Sequence, residues 1–168
     1  MVENDFLEGY EEDEKAMRGA ILTEPISSLD LRRHVSVPHD ASVAEAVLQM
    51  TETHTGCVCV VEGGILVGIF TERDLLRIVQ GKIDTATTPV GQVMTEKPVT
   101  LRPRHGIAQA LNQMSEGGFR HIPLVDGLGR PVGIVAMRDI VSFIVSLFPD
   151  AVLNVPPDPE AIQTEYGG

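Results

Sequence analysis

"VGIFTERDLL" (residues 67–76) and "VGIVAMRDIV" (132–141) decide how this chain is read. Each looks like a strand running into a helix. Gly, Ile, Arg and Asp return at the same spacing, while Thr71 is replaced by Ala136. Two stretches this alike ask whether the rest of the chain also repeats. It does. At an offset of 64, "EPISSL" (24–29) meets "TPVGQV" (88–93), and "SVAEAVLQMTE" (42–52) meets "GIAQALNQMSE" (106–116). "GCVCVVE" (56–62) meets "RHIPLVD" (120–126), and one extra residue in the next turn moves the offset to 65.

Both halves have the same grammar. A short β segment (35–37; 99–101) precedes a helix. Val43, Ala46, Val47 and Met50 fall at i, i+3, i+4 and i+7, as do Ile107, Ala110, Leu111 and Met114, so each helix buries one face. Ser42 with Glu45 reads as a capping box, and Gly106 with Gln109 as a weaker one. A strand pair follows as a hairpin around a Gly turn (58–61 with 66–70; 122–125 with 132–136). A second helix closes each unit (74–80; 139–148). The chain divides into an acidic segment 1–20, repeats at 21–82 and 83–149, and an acidic, Pro-rich tail 150–168. A helix packing Phe6, Leu7 and Met17 is expected within residues 4–22. A unit of about sixty residues barely buries enough surface to stand alone, so the two are expected to share a core.

The net charge of −11 sits at the ends. Residues 1–30 carry nine acids and two bases, residues 31–148 eleven of each, and residues 149–168 four acids. Binding to nucleic acid or an anionic membrane needs a basic surface and is disfavoured. No apolar run is long enough to span a bilayer, so a cytoplasmic protein is expected. Cys57 and Cys59 face one side of a strand among valines and read as buried apolar groups. His34, His39, His54 and His105 read as surface residues. No acid–base pair, nucleophile with its base, or metal-ligand cluster stands out, so neither catalysis nor a metal is expected.

The β-α-β-β-α repeat ending in Gly-x-x-Thr/Ser-x-x-Asp, with "VGQVMTEKPVTL" (90–101) and "GFRHIPLVD" (118–126), resembles the CBS domain, named after cystathionine β-synthase. Two in tandem resemble a Bateman module. The resemblance covers about residues 20–148. It implies an α/β (α+β) fold of two repeats packed around a pseudo-twofold axis. It also implies two clefts for adenosine ligands: AMP, ADP, ATP or S-adenosylmethionine. Carried over, one cleft uses Thr71, Arg73 and Asp74 with Thr100, Leu101, Phe119, Arg120, His121 and Pro123. The other uses Arg138 and Asp139 with Ser36, Val37, Gly56, Cys57 and Val58. The Asp would bond ribose hydroxyls, and the hydroxyl and basic groups would approach phosphate. The family's habit of pairing modules implies a homodimer, for which the nearly all-apolar helix 139–148 offers a surface; the alternative for that helix is burial beneath the N-terminal segment. A stand-alone module of this kind would act in trans on a separate protein target. The alternative is a ligand-independent dimerisation or scaffold module.

Thr71 and Asp74 also have the spacing of a capping box. Ala136 lacks the hydroxyl, so a full box cannot form in the second copy, and capping is not expected to account for both. Arg73 and Arg138 lie in a first helical turn, where a cation opposes the helix dipole but would suit a bound anion. The Asp74 cleft, with the hydroxyl and Arg73, Arg120 and His121, is expected to be the better nucleotide site.

Overall fold

The structure is a computed structural model and describes residues 19, 22–31 and 34–147. The expected N-terminal helix, apart from Gly19 and Leu22, and the tail 150–168 lie outside the described residues.

The first half runs β1 (Ser36–Pro38), α1 (Val43–Glu52), β2 (Cys57–Glu62), β3 (Ile65–Thr71) and α2 (Glu72–Gly81). The second runs β4 (Thr95–Glu96), α3 (Ile107–Gly117), β5 (His121–Val125), β6 (Pro131–Ala136) and α4 (Met137–Leu147). β1 pairs parallel to β2, and β2 and β3 form an antiparallel hairpin. That hairpin turns at Gly63 and Gly64, both at positive φ, which the tight right-twisted turn requires. β5 and β6 form the matching hairpin. Ser42 closes its capping box: its N–H donates to Glu45 Oε2 at 2.7 Å, and its Oγ accepts the Glu45 N–H at 3.2 Å.

The halves differ in their leading strand. Residues 99–101 do not form the expected strand. They keep one parallel bridge, Leu101 to Leu124, with Leu101 N–H donating to Pro123 O at 3.1 Å. Pro98 and Pro103 flank the segment and supply no N–H, so pairing stops after one bridge. The strand moves upstream to β4, which pairs with β3 of the first half.

The two leading segments are exchanged. Ile26 and Leu29 sit in the second half's core with Leu101, Ile107, Met114, Ile122 and Ile140. Val90 sits in the first half's core with Val43, Met50, Val58 and Phe70. Backbone bonds repeat the exchange atom for atom. Ile26 N–H donates to His105 O, and Val90 N–H to Ala41 O; Ser27 N–H donates to Pro103 O, and Gly91 N–H to His39 O. Glu24 O caps α3 through the Ile107 N–H, and Thr88 O caps α1 through the Val43 N–H. Each pair is related by 64 residues, the signature of a pseudo-twofold. Each half therefore keeps a core of its own, completed by the other half's leading segment, rather than the single shared core expected.

The histidines are less exposed than expected. His34, His39 and His105 are half-buried. The His39 ring lies where a Gly91 Cβ would be, and His105 Nδ1 accepts the Arg102 N–H at 3.2 Å. Cys57 and Cys59 are buried free thiols. Burial pushes each up to about 12, so both stay protonated and unreactive.

Candidate functional site

Both Arg-Asp turns are helix starts crossed by backbone from the other strand of the hairpin. Gly56 O accepts the Glu72 N–H at 3.1 Å, and Arg120 O accepts the Met137 N–H at 2.9 Å. In the first turn, the Thr71 N–H donates to Asp74 Oδ2 at 2.9 Å and the Thr71 hydroxyl donates to the same oxygen at 2.8 Å. In the second, the Ala136 N–H donates to Asp139 Oδ2 at 2.8 Å. This corrects one expectation. The carboxylate half of a capping box needs no hydroxyl, so capping suffices to explain both aspartates.

What sets Asp74 apart is its surroundings. It is 3% exposed, the one buried charged residue among the described residues. Its second oxygen, Oδ1, lies 3.6 Å from Arg77 Nη1. A cleft of about 310 Å³ opens beside it. Thr71, Arg73, Asp74, Phe119, Arg120 and His121 line that cleft, as the sequence reading grouped them. Thr100, Leu101 and Pro123 do not. Leu101 is in the core, Pro123 is buried in β5, and Thr100 is exposed and not part of the lining. The one-bridge leading segment puts Pro98 and Val99 on that wall instead, with Thr95 and Lys97. Arg77 was also missed, although its i+3 spacing from Asp74 was a legible signal. Lys97 and Pro98 carried no periodic signal.

Four cations (Arg73, Arg77, Lys97, Arg120) and two acids (Glu72, Asp74) line the cleft. In a chain of net charge −11 this is a local positive site. Arg73 is engaged across the halves, its Nη2 donating to Gly118 O at 3.1 Å. His121 is not a ready cation: burial lowers its pKa below the usual histidine value, and Arg120 and Arg138 lower it further. At neutral pH its imidazole is neutral, a hydrogen-bonding group rather than a counter-ion.

The second group of residues is dispersed. Ser36 is exposed, Val37 and Val58 belong to the first half's core, and Cys57 is buried. Gly56 and Arg138 instead line a wider groove of about 520 Å³ with an apolar floor of Val47, Met50 and Leu75. Asp139 lines neither space; its Oδ1 lies 3.8 Å from Arg138 Nε. The groove and the cleft share a wall of Gly56, Glu72, Arg120 and His121.

Two tandem β-α-β-β-α units with exchanged leading segments match the model of the CBS domain, at residues 26–81 and 90–146. The chain belongs to the CBS-domain family. The mitochondrial CBS domain-containing protein CBSX3 of Arabidopsis thaliana is 39% identical over 113 residues, which is 63% of this chain and 54% of that protein. The chain thus matches about half of that relative's length. The CBS domain protein PAE2072 from Pyrobaculum aerophilum, solved in complex with AMP, superposes with a TM-score of 0.67 at 24% identity, covering 74% of this chain and 98% of that one. The CBS domain pair of protein MJ0100, solved with 5'-methylthioadenosine and S-adenosyl-L-methionine, gives 0.68 at 21% identity, covering 74% and 98%. At these identities the two structures establish the shared CBS-pair fold. No helix of the described residues is long and apolar enough to cross a membrane.

Proposed function

We propose that this CBS pair is a non-catalytic regulatory module that binds an adenine nucleotide or S-adenosylmethionine in the Asp74 cleft and passes its occupancy to a protein target in trans. One observation carries the reading. A buried carboxylate with one oxygen already committed to its helix cap faces a cleft that holds four cations and an aromatic ring. The Asp74 Oδ1 atom can accept from ribose hydroxyls, Arg73, Arg77, Lys97 and Arg120 favour phosphate, and Phe119 offers a face to a base. The adenosine compounds held by the CBS proteins PAE2072 and MJ0100 support the ligand class. The cleft bridges both halves, so a ligand with higher affinity for one relative packing would shift the surface offered to a target.

Calorimetry with AMP, ATP and S-adenosylmethionine tests the proposal. Saturable binding of one of them, lost on Asp74→Ala, is the expected result; no heat and no thermal shift with any of them would overturn it. The scaffold reading has its own support: Leu76 and Val79 on α2 are 72% and 76% exposed, and Val141, at the matching position of α4, is 50% exposed. A homodimer joined through these helices serves either reading, and sedimentation of Leu76→Glu against the unsubstituted chain tests it.

A further inference from the structure

Phe119 is placed by two glycines and one cross-half bond. α3 ends at Gly117, Gly118 takes the left-handed conformation at φ +63°, and Gly118 N–H donates to Met114 O at 3.0 Å. The chain then doubles back, so the Phe119 ring lies over Gly117. A Cβ on Gly117 would stand 2.6 Å from Phe119 Cδ1 and 2.8 Å from its Cζ, inside any real carbon contact. The half-buried ring also packs against the second half's core and lines the Asp74 cleft. Arg73, next to Asp74 on α2, holds the turn from across the halves through Gly118 O. The ring is thereby fixed relative to the carboxylate.

The first half makes the same turn without this device. His54 takes the left-handed position at φ +52°. Thr53 stands where Gly117 does, and Thr55 where Phe119 does. The glycine and the aromatic ring therefore occur together, and only in the copy whose turn faces the Asp74 cleft.

We propose that Gly117 is a specificity-determining position of the Asp74 cleft: lacking a side chain, it seats the Phe119 ring clear of the cleft as a wall for a flat heteroaromatic base. This inference rests on the adenosine reading above and deepens it. A side chain at 117 drives the ring into the space the base would take. The backbone of Gly117 is not left-handed, so alanine there is compatible with folding and suits a helix end better than glycine.

The test is a double-substitution cycle on the full chain, with AMP as the probe and calorimetry as the readout. Gly117→Ala is expected to weaken AMP about tenfold, and Phe119→Leu by a similar factor through lost stacking. In the Phe119→Leu background, Gly117→Ala is expected to add less than about twofold, because the ring it displaces is gone. Unchanged AMP affinity in Gly117→Ala would overturn the inference alone. So would a tenfold loss that persists without the ring. An unsubstituted chain that does not bind AMP would overturn both this inference and the AMP form of the reading on which it rests.

Discussion

The two helix-opening turns share a framework and differ as sites. Each has an aspartate at the third helical position, and each aspartate accepts the backbone N–H at the cap. That bond stabilises a helix start wherever it occurs, so a repeated aspartate is no evidence for a repeated ligand site. The difference lies around the turns. Asp74 faces a cleft with Arg77, Lys97 and Phe119 on its walls, whereas Asp139 is half-buried beside Arg138 and lines neither the cleft nor the groove. Repetition here reports the fold, and departures from repetition report the site.

The shared framework can be broken most severely at the exchanged segments. Ile26 is fully buried in the half to which it does not belong by sequence. Ile26→Ala is expected to cost about 3 kcal/mol, the usual range for emptying such a position. Val90, its counterpart in the other core, loses fewer methyl groups, and Val90→Ala should cost about 2 kcal/mol. Urea unfolding measures both. A cost below about 0.5 kcal/mol for either would mean that its half keeps its core without the exchanged segment.

Asp74→Ala and Asp139→Ala sharpen the comparison from the other side. Each removes a cap bond of nearly equal length, and Asp74→Ala also removes the Thr71 hydroxyl bond, so both should destabilise by about 1–3 kcal/mol, Asp74→Ala the more. Binding should separate them. Losing Asp74 removes charged hydrogen bonds to a ligand and is expected to weaken an adenine nucleotide about a hundredfold, while Asp139→Ala should stay within about threefold. Titration calorimetry decides, and the reverse order would move the site to the second turn.

This contrast also marks what the sequence made legible. The repeat, both helical faces, both hairpins and the Ser42 box could be read because each rests on local periodicity or local capping. Thr71, Arg73, Asp74, Phe119, Arg120 and His121 could be grouped because family motifs mark them. The cleft's other wall could not. Whether 99–101 pairs as a strand depends on two flanking prolines and on competition from β4, and that outcome decides whether Thr100 or Pro98 and Val99 face the cleft. The dispersal of Val37, Cys57 and Val58 has the same origin: a position can match a motif and still be filled by its own core.

A third difference is a titration. His121 and Cys57 occupy the same place at the start of their strands. The Cys57 thiol, pushed up to about 12, does not ionise in the acidic range. His121 is held below the ordinary histidine value of 6.5 by burial and by Arg120 and Arg138. Below pH 6.5 the unfolded chain takes up a proton that the folded chain refuses, so stability falls as pH drops from 6.5 toward the folded value. Because the ring is only partly buried, solvent screens the effect and the loss should be modest. His34 shifts in the same direction, so His121→Gln should remove only part of the slope. Thermal melts of both chains at pH 7 and pH 5 measure it; an identical slope in His121→Gln would refute the assignment.

The remaining difference is the hydroxyl itself. Thr71 has a single O–H, and the structure commits it to Asp74 Oδ2 at 2.8 Å. A phosphate oxygen accepts and does not donate, so Thr71 can hold phosphate only by releasing its aspartate. The hydroxyl therefore acts on the cap first, and the cations and Phe119 rank the two turns as sites more strongly than the Thr-to-Ala exchange does. Thr71→Ala, which makes the first turn like the second, should lower stability by about 1 kcal/mol and leave nucleotide affinity within about threefold. Ala136→Thr, the reverse exchange, meets an Asp139 oxygen already placed for it and should gain no more than that. A tenfold loss of affinity in Thr71→Ala at unchanged stability would show instead that the hydroxyl leaves Asp74 for the ligand, and that the first turn rearranges when its cleft fills.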